Sequence, residues 1–574
     1  MRAFITIFIF LISFPVFSQV PTNTDYDGKI IRNIDIDIEP IFEGDSLNWV
    51  YNKANELKAN TKKRVIEREL TFKEGQPLTP FLVQESVRNL NSLRFIRNIH
   101  IIPTAVNNLE IDVKVIVQQT WTLVPQVSFS SGDGRNKRSI GMADSDLFGQ
   151  GKRLEVLFED DDGKQSMQSV YDDRRLFGSD KQLILAYFDR RDGDIGFLSL
   201  DKPFRTLVDE ESYGGNISFS DVAERLYRNG EERFVFRQDT LDLDIFYTFA
   251  SGNPEIVANR YSFGYDHIDY KFSKATRQDF QDLGIKKSEL DIEDIEIPDN
   301  RKFSGPFFAY QSIENEFIFM NYIDRFDRIE DYNLGQQVTL KLHYAPESLG
   351  SEEEAFLFSG TYGIGKSFSY RSFFRSEFGL GSRYQEGGFQ NTIFRGDLRY
   401  YNVLGDVYIG KRHFGRHTFA SALTFDYAQD LDRDQEFLLG ADNFLRGYTA
   451  GTFTGDKRFV FNIEDRIHLI DDLWKFFSLG AVIFADVGAS SYDNLGSMLQ
   501  DQIYSDVGIG LRIGFPRSSG SRVLRIDVAF PLRDADDGTS KLDPRFLFSA
   551  SQAFDSYLRS ETVRSKKASI DTGF

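Results

Sequence analysis

The sequence predicts a mixed architecture: a small α/β unit at the front, then a long antiparallel β-barrel of the membrane-spanning kind. Three observations carry that expectation. The 574-residue chain is rich in Phe (55) and Tyr (25), yet its mean hydropathy is −0.36, so the aromatics are diluted among polar residues. Beyond the first twenty or so residues, no apolar run approaches the roughly 20 residues of a membrane helix. From Trp121 onward the helical period disappears and apolar and polar residues alternate, the pattern of strands with one face to lipid and one to a polar lumen.

Composition narrows the function. Eighty-seven acidic against 68 basic residues give a net charge of −19, which argues against nucleic acid, whose binders neutralise phosphates with basic surface. Cysteine is absent, so disulfides, thiolate metal sites, a Cys nucleophile and a lipidated N-terminal Cys are excluded. With six His, a histidine-based metal enzyme is a poor expectation; no metal and no cofactor is called for.

Each segment follows in order. Arg2, the apolar run Ala3 to Phe17 and the small Ser18 have the pattern of a signal peptide over 1–18, cut before Gln19. The next unit, 19–118, reads β-α-α-β-β. Ile30, Ile34, Ile36 and Ile38 alternate in part, and Val65, Ile66 and Leu70 share a helical face. Thr79 with Pro80 opens a second helix carrying Leu82, Val83, Val87, Leu90 and Leu93. Strands Ile96 to Ile102 and Leu109 to Val117 meet around Asn107-Asn108. The segment EPIFEGDSLNWVYNKANELKAN makes the first strand-to-helix connection long.

The barrel is expected over 119–554, followed by a tail, 555–574. Ile268, Tyr270 and Phe272 alternate with His267, Asp269 and Lys271. Val338, Leu340, Leu342 and Tyr344 alternate with Thr339, Lys341 and His343. Phe459, Phe461 and Ile463 share one face; Asn462, Glu464 and Arg466 share the other. A soluble sandwich would also alternate, but with fewer charges on its inner face. On arithmetic alone, 14, 16 or 18 strands fit, 16 leaving roughly 27 residues per strand.

Two resemblances sharpen this. RVIERELTFKEGQPLTPFLVQESVRNLNSLRFIRNIHI resembles a POTRA domain, a periplasmic module of outer-membrane assembly proteins. That implies either strand addition by clients at an exposed sheet edge or a unit that orients or plugs the barrel. GADNFLRGYTAGTFTGDKRFVFNIEDR (Gly440 to Arg466) and FADVG (Phe484 to Gly488) resemble the BamA/TamA-like superfamily, the bacterial surface antigen barrels. The resemblance selects 16 strands and places Leu445, Arg446, Gly447 and Tyr448 on a sixth outer loop that folds into the lumen, facing Asp486. A guanidinium inside a barrel needs a carboxylate, and Arg offers bidentate geometry, so Arg446 is expected to pair with Asp486, with Glu464 on the adjacent strand. Gly447 is expected to permit a tight turn and Gly488 to leave room for the loop. The bland alternative is a lone Arg-Gly turn.

Ile140-Gly141 through Asp146-Leu147-Phe148-Gly149-Gln150-Gly151 resembles the family's first hairpin, and Phe546, Phe548 and Phe554 resemble its last-strand assembly signal, although about twenty residues follow. Between these ends the family has a weak seam where client strands can pair. Other candidates are weak. His413 and His417 read as a basic turn between strands. Asp291, Glu293, Asp294 and Glu296 read as a solvated loop, and Asp534, Asp536 and Asp537 lack the EF-hand spacing.

The resemblance implies an outer-membrane factor that inserts or translocates proteins and breaks no bond. A single POTRA-like unit points to an accessory or client-specific role. Implied partners are outer-membrane lipid, unfolded outer-membrane or secreted clients, and periplasmic or lipoprotein accessory factors. The competing class is a passive pore or receptor on the same scaffold. An enzyme would need a constellation such as G-x-S-x-G, which is not found.

Overall fold

The computed structural model describes residues 26–42, 49–132, 135–161, 164–228, 231–285, 297–324, 326, 329–441, 444–519 and 523–549. The expected signal peptide, the acidic run 291–296, Phe554 and the tail lie outside them.

The front unit is built from β1 (Ile30–Glu39), α1 (Trp49–Leu57), α2 (Lys63–Glu67), α3 (Pro80–Asn91), β2 (Ile96–Ala105) and β3 (Glu110–Gln119). β3 is central: β1 runs parallel to it and β2 antiparallel. Ile66, Leu78, Leu90, Val113 and Val115 fill one core with Phe72 and Phe95. Thr79 caps α3, accepting a hydrogen bond from the Leu82 amide with Pro80 in the first turn. The order is therefore β-α-α-α-β-β, one helix more than expected. α1 was not legible as part of this core because its Tyr51 serves another partner, packing against Phe42 and stacking on Phe476 at ring separations of 5.0 and 5.6 Å.

Twenty strands form one antiparallel sheet: β4 (Leu123–Gly132), β5 (Arg135–Asp144), β6 (Lys152–Asp161), β7 (Lys164–Asp173), β8 (Gln182–Arg190), β9 (Gly193–Lys202), β10 (Glu211–Arg228), β11 (Glu231–Asn253), β12 (Val257–Lys274), β13 (Arg301–Glu314), β16 (Gln337–Ala345), β17 (Ala355–Ser369), β18 (Ser372–Gln385), β19 (Gly388–Ile409), β20 (Arg412–Gln429), β23 (Lys457–Leu473), β24 (Phe477–Ser491), β25 (Tyr504–Gly514), β26 (Leu524–Pro531) and β27 (Arg545–Ser549). They are neighbours in chain order, and the order closes with β27 beside β4. Two short pairs lie apart, β14 (Phe317–Asn321) with β15 (Ile329–Asn333), and β21 (Phe437–Leu439) with β22 (Phe453–Gly455). Short helices α4 (Arg277–Asp282) and α5 (Leu495–Asp501) sit in outer connections.

Among the described residues twenty strands replace the sixteen expected. The connections are the reason: only two residues separate β4 from β5, β6 from β7, β8 from β9, β10 from β11 and β17 from β18. The chain therefore needs about 21 residues per strand instead of 27, still enough for the 9–11 that span a bilayer. Alternation on β23 is strict: Arg458, Val460, Asn462, Glu464, Arg466 and His468 are buried inward, and Phe459, Phe461 and Ile463 lie on the other face. Leu340, Leu342 and Tyr344 on β16 are likewise exposed outward while His343 is buried. Phe249, Tyr261, Phe263 and Phe308 make a chain of ring contacts across β11, β12 and β13, with Phe249 and Phe263 exposed, as an interfacial girdle requires. At Ile268–Phe272 the sense is reversed. These residues share the parity of buried Asp266, and Phe272 is buried against Phe236. They lie eleven to fifteen residues up β12, roughly 35–50 Å along the strand and past the lipid, where an apolar side chain gains by turning inward.

The front unit sits on the rim made by the turns at one end of the barrel. Two successive turns share a geometry. In each, an Asp two residues earlier (Asp144, Asp173) accepts from the backbone amide of Asp146 or Arg175, and Leu-Phe-Gly follows with Phe148 and Phe177 at φ 55° and 51°. The first turn meets α2 through the Lys62 amide, which donates to the Gly149 carbonyl at 3.0 Å, and through the Thr61 hydroxyl, which donates to Asp146 at 2.6 Å. A Cβ on Gly149 would stand 2.0 Å from the Asn60 carbonyl oxygen, so glycine is required there. The second turn grips the other end of α2. Arg175 donates to buried Glu69 at 2.7 and 3.1 Å and to the Arg68 carbonyl at 2.7 Å. Burial pushes the Glu69 carboxyl up, but the hydrogen bond from Arg175 and the charges of Arg174, Arg175 and Arg205 outweigh it and hold it below the usual range. Arg97 donates to the Pro516 carbonyl, and the Trp121 backbone pairs with Arg517 and Ser519.

Candidate functional site

The 27-residue connection between β20 and β23 turns back into the barrel, and the site forms where its turn reaches the wall. Leu445, Arg446 and Tyr448 are all buried, Arg446 to 3%. Arg446 donates from Nε and Nη2 to the two oxygens of Asp486 at 2.7 and 2.8 Å, and from Nη1 to Glu464 at 2.7 Å. Its guanidinium lies 3.5 Å from the centre of the Phe484 ring. The carboxylates come from adjacent strands in one register: Asn462 stands opposite Asp486 and Glu464 opposite Phe484. Period-2 alternation sends all four inward. Asn462 completes the arrangement, donating one amide to Asp486 and to the Phe444 carbonyl at 2.7 and 2.8 Å.

Gly447 acts differently from the expectation. Its φ is not left-handed; what it supplies is closeness. Its amide donates to Asp506 at 2.8 Å, and a Cβ there would lie 2.6 Å from the Asp506 Cβ. Gly488 does leave room for the loop, since Leu439 of β21 would meet its Cβ at 3.0 Å. The Tyr448 hydroxyl donates toward the carbonyls of Ser505 and Arg533, both at 3.1 Å.

Several lumenal residues were not read from the sequence. Asp426 on β20 receives Arg395 at 2.6 Å and Arg458 at 2.7 Å, and Arg458 also donates to the Leu438 carbonyl of the loop. Arg301 and Arg383 hold Asp434 and Asp432 at the loop's start. The signal was parity: Arg458 is on the face of Glu464 and Arg466. Arg466 donates to Glu464 at 2.8 Å and to Asp324 at 2.8 Å, which extends the charge chain beyond the loop.

The remaining candidates are placed elsewhere. Phe546 and Phe548 are exposed on the outer face of β27. His413 and His417 lie within β20 instead of a turn, beside Asp406 and Asp465 respectively; no cluster suited to a metal is found among the described residues. Asp534 and Asp537 are taken up by the Lys541 amide and by Thr452.

Fold and site together define a membrane-type β-barrel whose lumen is occupied by one of its own loops, anchored by a buried Arg–carboxylate cluster. The Omp85 superfamily domain matches residues 146–554, and the chain belongs to that superfamily of outer-membrane barrels. Among solved structures it is similar to BamA from Haemophilus ducreyi lacking POTRA domains 1-3 (14% identity, TM-score 0.36, covering 91% of this chain and 84% of that one). It is also similar to CdiB from Acinetobacter baumannii (12%, 0.42, 91% and 73%) and CdiB from Escherichia coli (11%, 0.46, 91% and 76%). No curated protein matches it.

Proposed function

We propose that this protein inserts proteins into the outer membrane or moves them across it, as an accessory or client-specific factor. The observation that supports this most is the inward loop, tied by Arg446 to Asp486 and Glu464, in a chain whose residues 146–554 are an Omp85 superfamily domain. A passive pore gains nothing from filling its lumen with a charged lock. An assembly barrel needs a closed lumen at rest and a wall stiff enough to work at its seam. β27 lies beside β4, and client strands would pair there, because backbone groups cannot stay unsatisfied in lipid. No bond is made or broken.

On this reading residues 1–18 are removed on export and the POTRA-like unit faces the periplasm. Its role is to orient and close the barrel more than to recruit by strand addition. β2, one of the two edge strands, is bent by a register shift in its ladder with β3 between Arg97 and His100 and carries Pro103, both of which blunt pairing at its free side. Its partners are outer-membrane lipid, unfolded outer-membrane or secreted clients, and periplasmic or lipoprotein accessory factors.

Quantitative outer-membrane proteomes with and without the protein test the proposal. Loss of one or a few clients is the expected result; loss of many barrels would make it a general factor. An unchanged proteome, together with large steady conductance in planar bilayers, would overturn it in favour of a pore or receptor.

A further inference from the structure

The barrel has a second occupant. Between β13 and β16 the chain does not make the short turn found at most of that rim. It forms the β14–β15 hairpin, paired from Phe317 with Asn333 to Asn321 with Ile329. The hairpin enters the lumen from the end where the front unit sits. Ile323 and Leu334 are buried against Phe373, Tyr401, Ala420 and Ala422 of β18, β19 and β20, with Ile318, Met320 and Tyr332 packed alongside. Tyr332 lies 4.8 Å from the Phe373 ring. This is an apolar patch on the inner wall. The tip goes further: Phe326 meets the His468 ring at 4.8 Å and fills space left by two glycines, since a Cβ on Gly480 or Gly514 would fall 2.9 or 2.4 Å from its ring.

Both ends of the hairpin are held by other parts of the molecule. At its root Arg88 of α3 lies 3.7 Å from the centre of the Phe317 ring and donates to Asn315 at 3.4 Å. At its tip Asp324 receives Arg466 at 2.8 Å, Arg466 donates to Glu464, and Glu464 receives Arg446 of the inward loop. The chain Arg88, hairpin, Arg466, Glu464, Arg446 thus runs from the front unit to the outer loop.

We propose that the β14–β15 hairpin is a plug on the front-unit side, seated by that unit, which must swing out before the lumen opens. This holds whatever passes through the lumen, so it can stand or fall separately from the proposed function.

The absence of cysteine makes the test direct. Ile323→Cys, in the full chain in lipid bilayers, is exposed to a bulky water-soluble maleimide while conductance is recorded. In the resting protein labelling should be slow. Adding Arg88→Ala should speed it at least threefold, and the labelled protein, unable to reseat its tip, should conduct at least tenfold more than the unlabelled. Ala420→Cys, on the wall behind the hairpin, gives the same readout without altering the tip, and it decides the matter if Ile323→Cys does not fold. Labelling without a rise in conductance, or no labelling in the Arg88→Ala background, would overturn the proposal.

Discussion

The two intrusions into the barrel are held in opposite ways. The outer loop, reaching in from between β20 and β23, is fixed by charge: Arg446 satisfies two carboxylates, and Arg301 and Arg383 pin the loop's start. The hairpin is fixed mainly by apolar packing on Phe373 and Tyr401, with one ion pair at the tip. A charge lock is rigid and fails abruptly, because losing one partner strands the others without water. An apolar seat weakens gradually with the area uncovered. The outer loop thus acts as a fixed strut and the hairpin as the part that can leave.

The sharpest test of that contrast is Arg446→Ala. It takes the guanidinium from two buried carboxylates, leaving Asp486 to the Asn462 amide and Glu464 to Arg466, and should cost about 3–5 kcal/mol, read as a large fall in the temperature at which the folded form disappears in detergent. Arg446→Lys should recover only part of this, since an ammonium cannot replace the bidentate contact. Asp324→Asn should cost less, about 1.5–3 kcal/mol, with increased amide exchange confined to the hairpin; exchange spreading to the outer loop would show the two to be one unit.

A smaller effect is expected at the rim. Glu69 has its folded-state value lowered, so its contribution is full above the ordinary carboxylate value and is lost as pH falls through the folded one. Exchange protection over 62–70 should drop on acidification, and Glu69→Gln should abolish that pH dependence. The least effect belongs to Lys411→Ala, within about 0.5 kcal/mol of wild type, because it sits in the two-residue turn between β19 and β20. A Lys411 effect equal to that of Arg446 would remove the distinction between lock and bystander.

The lock was legible because its residues sit in recognisable strings, and a buried guanidinium dictates its own partner. The face of β23 was legible for a simpler reason: a period of two admits one answer. The hairpin was not. FIFMN and IEDYN are five residues each, no longer than β27, and nothing local says that they pair only with each other. α1 escaped because its aromatic faces a neighbouring domain. The inward turn of Phe272 escaped because alternation reveals two faces without saying which one meets lipid. The strand number was lost in the two-residue connections, which periodicity does not mark.

The twin Leu-Phe-Gly turns have a geometric consequence. They are two strands apart, about 10 Å along the rim, and they hold backbone groups at Lys62 and Arg68, six residues apart and therefore about 9 Å along a helix. The two pitches match, as teeth match a rack. One residue inserted into α2 would turn the far contact by about 100° and slide it about 1.5 Å, so both teeth could not engage. The front unit is thereby indexed to a single azimuth on the barrel, which keeps Arg88 standing over the root of the hairpin.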